Sequence, residues 1–337
     1  MKKSAMIACF LILVILFFIR SNKANNFQSN SGSIRKETYI SKVIIDAPWG
    51  EEPGQFGIYK PPEGGPRVGP ETYVIAQNDD IYVDDQLNGR IQKFNNNGQF
   101  ISSISLSFSY ENMYVEQSGN IYLYHTARVP KRIIQYDNKG NLSKEYPILW
   151  DDLGMRVVGG AYIYSDNSGR LFLCYRSDSL KVPMIFQVGT TEMVFSPEQQ
   201  KATLREGFVG SNNVVLNQGK IFQSKEGELR LVEFDSTVKK TGKSDKEFSL
   251  YRLNLYPFGV AGFTGVDNEM NVYTTQGNTI RKYNPAGDLV AEFNIEKDDY
   301  AHTSRAIVLD EHGNVFVMST SKEGLKIIKW SPVEGKK

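Results

Sequence analysis

Cysteine is nearly missing from this chain of 337 residues, with Cys9 and Cys174 the only two. Cys9 lies in an apolar leader and Cys174 in an expected strand, where it reads as a small buried hydrophobe. No intramolecular disulfide is therefore expected. Histidine is almost as scarce, limited to His125, His302 and His312. No HExxH, CxxC, phosphate-loop or GxSxG pattern occurs, which leaves zinc hydrolysis, nucleotide chemistry and serine hydrolysis without support. Neither sign of charge is in excess: 39 basic against 38 acidic residues give a formal net charge of +1. That balance argues against nucleic acid as a partner.

At the N-terminus, Met1-Lys2-Lys3 precedes an uninterrupted apolar run from Ala5 to Ile19, closed by Arg20. A basic start and a short apolar stretch fit the first two regions of a secretory signal. The run falls short of the ~20 residues a spanning helix needs. Yet no small-x-small cleavage site follows in Arg20-Ser21-Asn22-Lys23-Ala24. Residues 1–20 are thus expected to be a signal anchor, with a cleaved signal peptide as the alternative. The anchor would hold the membrane through residues 5–19 with the rest of the chain extracytoplasmic; cleavage would make the protein secreted. Residues 21–37, rich in Ser and Asn, read as a flexible tether.

Residues 38–337 read as all-β. Tyr39 to Ile45 predicts one strand, and Trp49 to Pro70, too rich in Gly and Pro for regular structure, a long loop of the kind that often carries function. In Asn78 to Leu106, three apolar runs, Ile81 to Val83, Arg90 to Phe94 and Phe100 to Ile104, are divided by Asn, Asp and Gly turns. That pattern predicts strands joined by tight hairpins. A polar turn followed by an apolar triplet recurs at Ile81, Ile121, Leu171, Leu229, Val272 and Val315, spaced by 40, 50, 58, 43 and 43 residues. A second hairpin signal recurs at Asn97-Gly98, Lys139-Gly140 and Ala286-Gly287. Four strands in each period of this length predict propeller blades. The last unit lacks a fourth strand, and Tyr39 to Ile45 lacks a unit. The expected fold is a six-bladed β-propeller closed by its N-terminal strand. Ser196-Pro197-Glu198 and the residues to Glu206 predict a short capped helix inserted between the third and fourth units. Asp235 to Ser249 predicts a polar surface loop.

Val83 to Phe94 resembles the core of an NHL repeat, with Asp85, Asn88 and Arg90 at the repeat's Asp, Asn and Arg positions. Gly50 and Pro53-Gly54-Gln55-Phe56 resemble the linker that introduces such a repeat. The resemblance is good for the first unit, partial for the second, fifth and sixth, and poor for the third and fourth. It implies a six-bladed propeller of the NHL and SMP-30-like kind, with Asp85 and Arg90 as a structural pair fixing the hairpin between the second and third strands. Pro62-Glu63-Gly64-Gly65-Pro66 is similar to the Glu-Gly-Pro entrance of SMP-30/gluconolactonase propellers. That similarity implies an alternative function, a lactone hydrolase using a divalent cation such as calcium, with Glu63 as a metal ligand.

The main expectation is a non-catalytic binding, sensing or scaffold module that needs no cofactor. Its ligand, a protein or a small anion, would lie on the face formed by the loops between units and those joining second to third strands. The candidate ligand-binding residues there are Trp49, Tyr59, Glu71, Glu111, Arg128, Arg156, His302 and Arg305. Aromatic and arginine side chains dominate binding hot spots, and an arginine on this face needs a carboxylate or an anionic ligand.

Overall fold

The computed structural model describes residues 37–76, 78–116, 118–126, 130–148, 162–165, 169–176, 183–203, 205–206, 213–217, 220–225, 228–232, 247–249, 263–267, 269, 271–284, 288–302, 306–310 and 312–333. The leader and, apart from Glu37, the tether lie outside these residues. Among the described residues no helix is long and apolar enough to cross a membrane.

The described chain is all-β and built from four-stranded antiparallel sheets, each in sequence order except the one that includes the first strand. One sheet holds β2 (Tyr73–Ile75), β3 (Ile81–Asp85), β4 (Arg90–Phe94) and β5 (Phe100–Ser105). The next holds β6 (Asn112–Val115), β7 (Ile121–His125), β8 (Lys131–Tyr136) and β9 (Leu142–Ile148). β10 (Tyr162–Ser165), β11 (Arg170–Arg176), β12 (Pro183–Thr190) and β13 (Arg205–Glu206) form the third. β14 (Asn213–Asn217), β15 (Lys220–Lys225), β16 (Glu228–Val232) and β17 (Glu247–Ser249) form the fourth. β18 (Phe263–Val266), β19 (Val272–Gln276), β20 (Thr279–Tyr283) and β21 (Leu289–Asn294) form the fifth. In the last, β22 (Ile307–Leu309), β23 (Val315–Thr320) and β24 (Gly324–Pro332) are joined by β1 (Tyr39–Pro48), which pairs antiparallel with β24 from Tyr39↔Pro332 to Pro48↔Gly324.

Burial explains the sequence pattern within a sheet. β3, β7 and β23 are buried along their whole length, because each is covered on both faces. A strand covered on both sides reads as a continuous apolar run and not as an alternation. The fourth strand of the first of these sheets is wet: Phe100 to Ser103 of β5 are all exposed. Its serines leave that sheet edge a poor template for further pairing. Neighbouring sheets share apolar cores. Ile81 and Val83 pack with Ile45, Phe56, Phe316 and Ile327, while Tyr82 and Ile91 pack with Met113, Ile121 and Leu123. Tyr122, Tyr124 and Tyr146 pack with Leu171, Leu173 and Phe186.

β1 is held by more than its ladder. Tyr39 stacks on Phe293 of β21 with ring centroids 4.2 Å apart, and its hydroxyl lies 3.0 Å from that of Tyr273. Just before it, Glu37 pairs with Lys282 at 2.8 Å. Where β1 shifts register between Val43 and Ile45, the Asn95–Gln99 turn of the neighbouring sheet closes on it. Gly98 in that turn has φ +79°, and a Cβ there would stand 1.5 Å from the carbonyl oxygen of Ile44. Only glycine meets both demands.

Three expectations need correction. The polar loop expected from Asp235 to Ser249 includes β17, Glu247–Ser249, which pairs with Glu228–Arg230 of β16 as the fourth strand of its sheet. Glu228-Leu229-Arg230 is the third strand of its sheet, not the second; the second is Lys220–Lys225, centred on Ile221-Phe222. Measured to Ile221, the intervals from Leu171 and to Val272 become 50 and 51 residues, more even than those through Leu229. The helix, α1 (Pro197–Thr203), lies between the third and fourth strands of its own sheet and stops before Arg205, which enters β13. Its capping is reciprocal: Gln199 N donates to Ser196 Oγ at 3.3 Å, and Ser196 N donates to Gln199 Oε1 at 2.8 Å.

Candidate functional site

Sequential antiparallel strands place the turns of each sheet at two ends. The first-to-second and third-to-fourth turns share one end, and the second-to-third turns and sheet-to-sheet connections share the other. The second, loop end contains Trp49 to Pro70, which forms no strand and only isolated bridges, Trp49↔Phe56, Tyr59↔Val68 and Val68↔His302.

The root of that loop is clamped to the first hairpin. Asp85, whose side chain is wholly buried, lies 2.7 Å from Arg90 Nε. It also accepts from Gly57 N at 2.8 Å, from Gln92 Nε2 at 3.0 Å and from Asn88 Nδ2 through both oxygens. Arg90 Nη2 donates to the carbonyls of Glu52 and Gln55, each at 2.9 Å, and Asn88 Nδ2 to that of Gly50 at 2.9 Å. Gly54 N donates to Gln92 Oε1 at 2.8 Å. The Asp85–Arg90 pair therefore fixes its own hairpin and also grips residues 50–57. A buried carboxylate is tolerated because donors fill its lone pairs.

Trp49 is half-buried against the core beside Phe56, and its Nε1 donates to Ser321 O at 3.0 Å. It ties the start of the loop to the β23–β24 hairpin and offers no free ring. Tyr59, in contrast, is 51% exposed. Glu63 is exposed in the turn Pro61–Gly64, and among the described residues no group of three or more His, Cys, Asp and Glu is arranged to hold a metal ion.

An acidic corner follows the loop. Asp84 is 1% exposed and accepts from Tyr110 Oη at 2.9 Å and from Gln86 Nε2 at 3.1 Å. Burial pushes its carboxyl up to about 6; the nearby charge of Glu71 pushes the same way, while the Gln86 and Tyr110 bonds oppose it. Glu71 is exposed. Glu111 is exposed and accepts from Thr126 Oγ1 at 2.6 Å.

A cationic corner lies at the other side of the loop. Thr320 N donates to Asp298 O at 2.9 Å, and Tyr300 N to Thr320 O at 3.0 Å, so the end of β23 holds residues 298–301 in place. His302 N donates to Arg67 O at 2.9 Å, and Val68 exchanges two backbone bonds with Tyr59 at 2.8 and 3.0 Å. Arg67 lies between these ties, its Cζ 4.1 Å from the centre of the Tyr300 ring. His302 is exposed. Arg128, Arg156 and Arg305 lie outside the described residues, as does Trp150. Thus the structure brings Tyr59 and His302 to one stretch, puts Glu71 and Glu111 at the acidic corner, and turns Trp49 inward. Arg67 escaped the sequence reading. Its signal there is slight: an arginine set between Pro66 and Gly69-Pro70, where the chain cannot form a helix.

No family model matches the chain, and no curated protein matches it. Solved structures do. Streptogramin B lyase matches at 13% identity and TM-score 0.47, over 88% of this chain and 98% of that one. A calcium-binding protein, regucalcin from Agrobacterium tumefaciens, matches at 13% and 0.47, over 79% and 91%. Luciferin-regenerating enzyme matches at 13% and 0.45, over 81% and 94%. At such identities and scores no activity passes to this chain.

Proposed function

We propose that the six sheets are the blades of one propeller closed by β1, and that the protein is a binding, sensing or scaffold module working through its loop end. In this reading residues 5–19 hold the protein to a membrane with the propeller extracytoplasmic. The observation that carries the binding role is the construction of the 49–70 loop. Its root is fixed by a buried charge network, yet its Tyr59 side chain and the turn from Pro62 to Pro66 are exposed. A firm base under an exposed aromatic is the arrangement that lowers the ordering cost of binding. The partner is a protein that docks on Tyr59 and the adjoining loop.

The test places a photo-reactive phenylalanine analogue at position 59 of the full-length chain, and separately at position 97 in the turn end. Irradiation of intact cells should yield a discrete adduct from position 59 and none from 97. Adducts from both positions alike, from 97 alone, or from neither would refute the reading.

A further inference from the structure

We propose that Arg67, Tyr300 and His302 form a subsite for an oxyanion, a carboxylate or a phosphate group, on the loop end. This subsite rests on the reading of that end as the binding end. It begins from the pairing of arginines. Arg90, Arg132 and Arg281 each meet a carboxylate, of Asp85, Glu145 and Glu292 respectively. Among the described residues Arg67 meets no carboxylate and its side chain donates no hydrogen bond; it lies over the face of Tyr300.

Two further features distinguish it from an idle surface arginine. Its Nε is buried without a hydrogen-bond partner, a rare condition for a buried donor and a costly one. The residue as a whole is only half-buried, so the other guanidinium nitrogens still reach solvent. An oxyanion arriving at the two terminal nitrogens, which reach solvent, would take bonds from both, the fork geometry that favours arginine over lysine.

The position is also prepared in advance. Backbone bonds from Tyr59, Val68 and His302 fix the chain on both sides of Arg67. The Tyr300 ring, 4.1 Å from Arg67 Cζ, gives the guanidinium a face to rest on without using its hydrogen-bond donors. Tyr300 itself is tied to Thr320. His302, exposed and bonded to the Arg67 carbonyl through its own amide, adds a second donor beside the same segment. The neighbouring carboxylates do not compete, since neither Glu63 nor Glu71 lies within ion-pair distance of Arg67 and Asp299 pairs with Lys297 at 2.6 Å.

The full-length protein is titrated calorimetrically with sodium phosphate and with sodium succinate, against sodium chloride at matched ionic strength. Binding of either oxyanion is expected, and which one binds identifies the group. In Arg67→Gln the affinity should fall by about ten- to a hundredfold, the range for bonds to a charged group. In Tyr300→Leu it should fall less. Melting in chloride alone reports whether each variant is folded, and Arg67→Lys, which keeps the charge and loses the fork, serves if Arg67→Gln does not fold. Unchanged affinity in the folded Arg67 variant, or no binding to the native protein, overturns the subsite. The adduct at position 59 does not depend on Arg67, so its persistence in that case would leave the binding end standing without the oxyanion site.

Discussion

At the turn end, three aspartates close on their own turns. Asp137 accepts from the backbone N–H of Lys139 and Asn141, Asp267 from those of Glu269 and Asn271, and Asp310 from those of His312 and Asn314. At the loop end the partners are far apart in the chain. Asp85 holds Gly57, 28 residues away, and Trp49 holds Ser321, 272 residues away. The first kind of bond makes each turn self-sufficient, and losing one stays local. The second kind couples separate segments, so that a defined surface depends on several of them at once. Binding needs such a surface, whereas turns need only to reverse the chain.

The largest expected effect comes from the strand that runs between the two ends. β1 begins where the Tyr39 hydroxyl reaches the carbonyl of Gly313, in a turn, and finishes at Trp49. If β1 closes the ring, deleting residues 38–46 exposes the edge of β24 and the apolar face behind Ile45. The melting temperature should then drop by more than about 10 °C, several kcal/mol at roughly 2–4 °C each. Deleting residues 21–36 should leave it nearly unchanged. Equal melting temperatures for the two truncations rule out closure.

Next comes the clamp. Asp85→Ala removes the common acceptor of Gly57, Asn88, Arg90 and Gln92 and leaves Arg90 largely buried without its carboxylate. The expected cost is about 3–5 kcal/mol. Asn95→Ala removes bonds to two backbone amides in a turn, Asn97 N and Gln99 N, and should cost about 1 kcal/mol. Chemical denaturation measures both, and matching costs would erase the distinction between the two ends.

How far these features are legible in the sequence follows from their range. Arg90 to Phe94 was readable to the residue, because apolar alternation between two Asn-Gly-type turns leaves no other register. The fourth sheet was misread, since Leu229 follows a Glu-Gly pair as a second strand would, while Ile221, one turn earlier, follows the equally polar Asn217-Gln218-Gly219-Lys220. α1 was readable from its Ser196 cap, but not its place inside a sheet: β13 is two residues long and carries no pattern of its own. Asp85, Asn88 and Arg90 were legible through their repeat. That they also hold residues 50–57 was not, as nothing in local spacing reports a contact 28 to 38 residues away. The same limit hid Arg67, whose meaning depends on Tyr300.

A smaller effect than that of the clamp separates two adjacent carboxylates. Asp84 and Asp85 are both 1% exposed. Asp85 has a guanidinium; Asp84 has Tyr110 and Gln86 and, among the described residues, no cation within ion-pair distance. Burial pushes the Asp84 carboxyl from 3.8 up to about 6. Between these values the folded chain holds the proton more tightly than the unfolded one, so this group favours folding most below the window and loses that advantage as pH rises through it. The full loss above pH 6 is roughly 3 kcal/mol, at about 1.4 kcal/mol for each pKa unit. Asp84→Asn keeps the shape and removes the charge. Its stability should therefore match the native protein near pH 4 and exceed it by up to roughly 2–3 kcal/mol at pH 7. Taking the difference between the two proteins cancels the titration of every other carboxylate, Asp310 included, which burial also pushes upward. Denaturation midpoints measured at both pH values decide the matter: a difference that stays constant from pH 4 to pH 7 would mean that burial does not raise the Asp84 carboxyl.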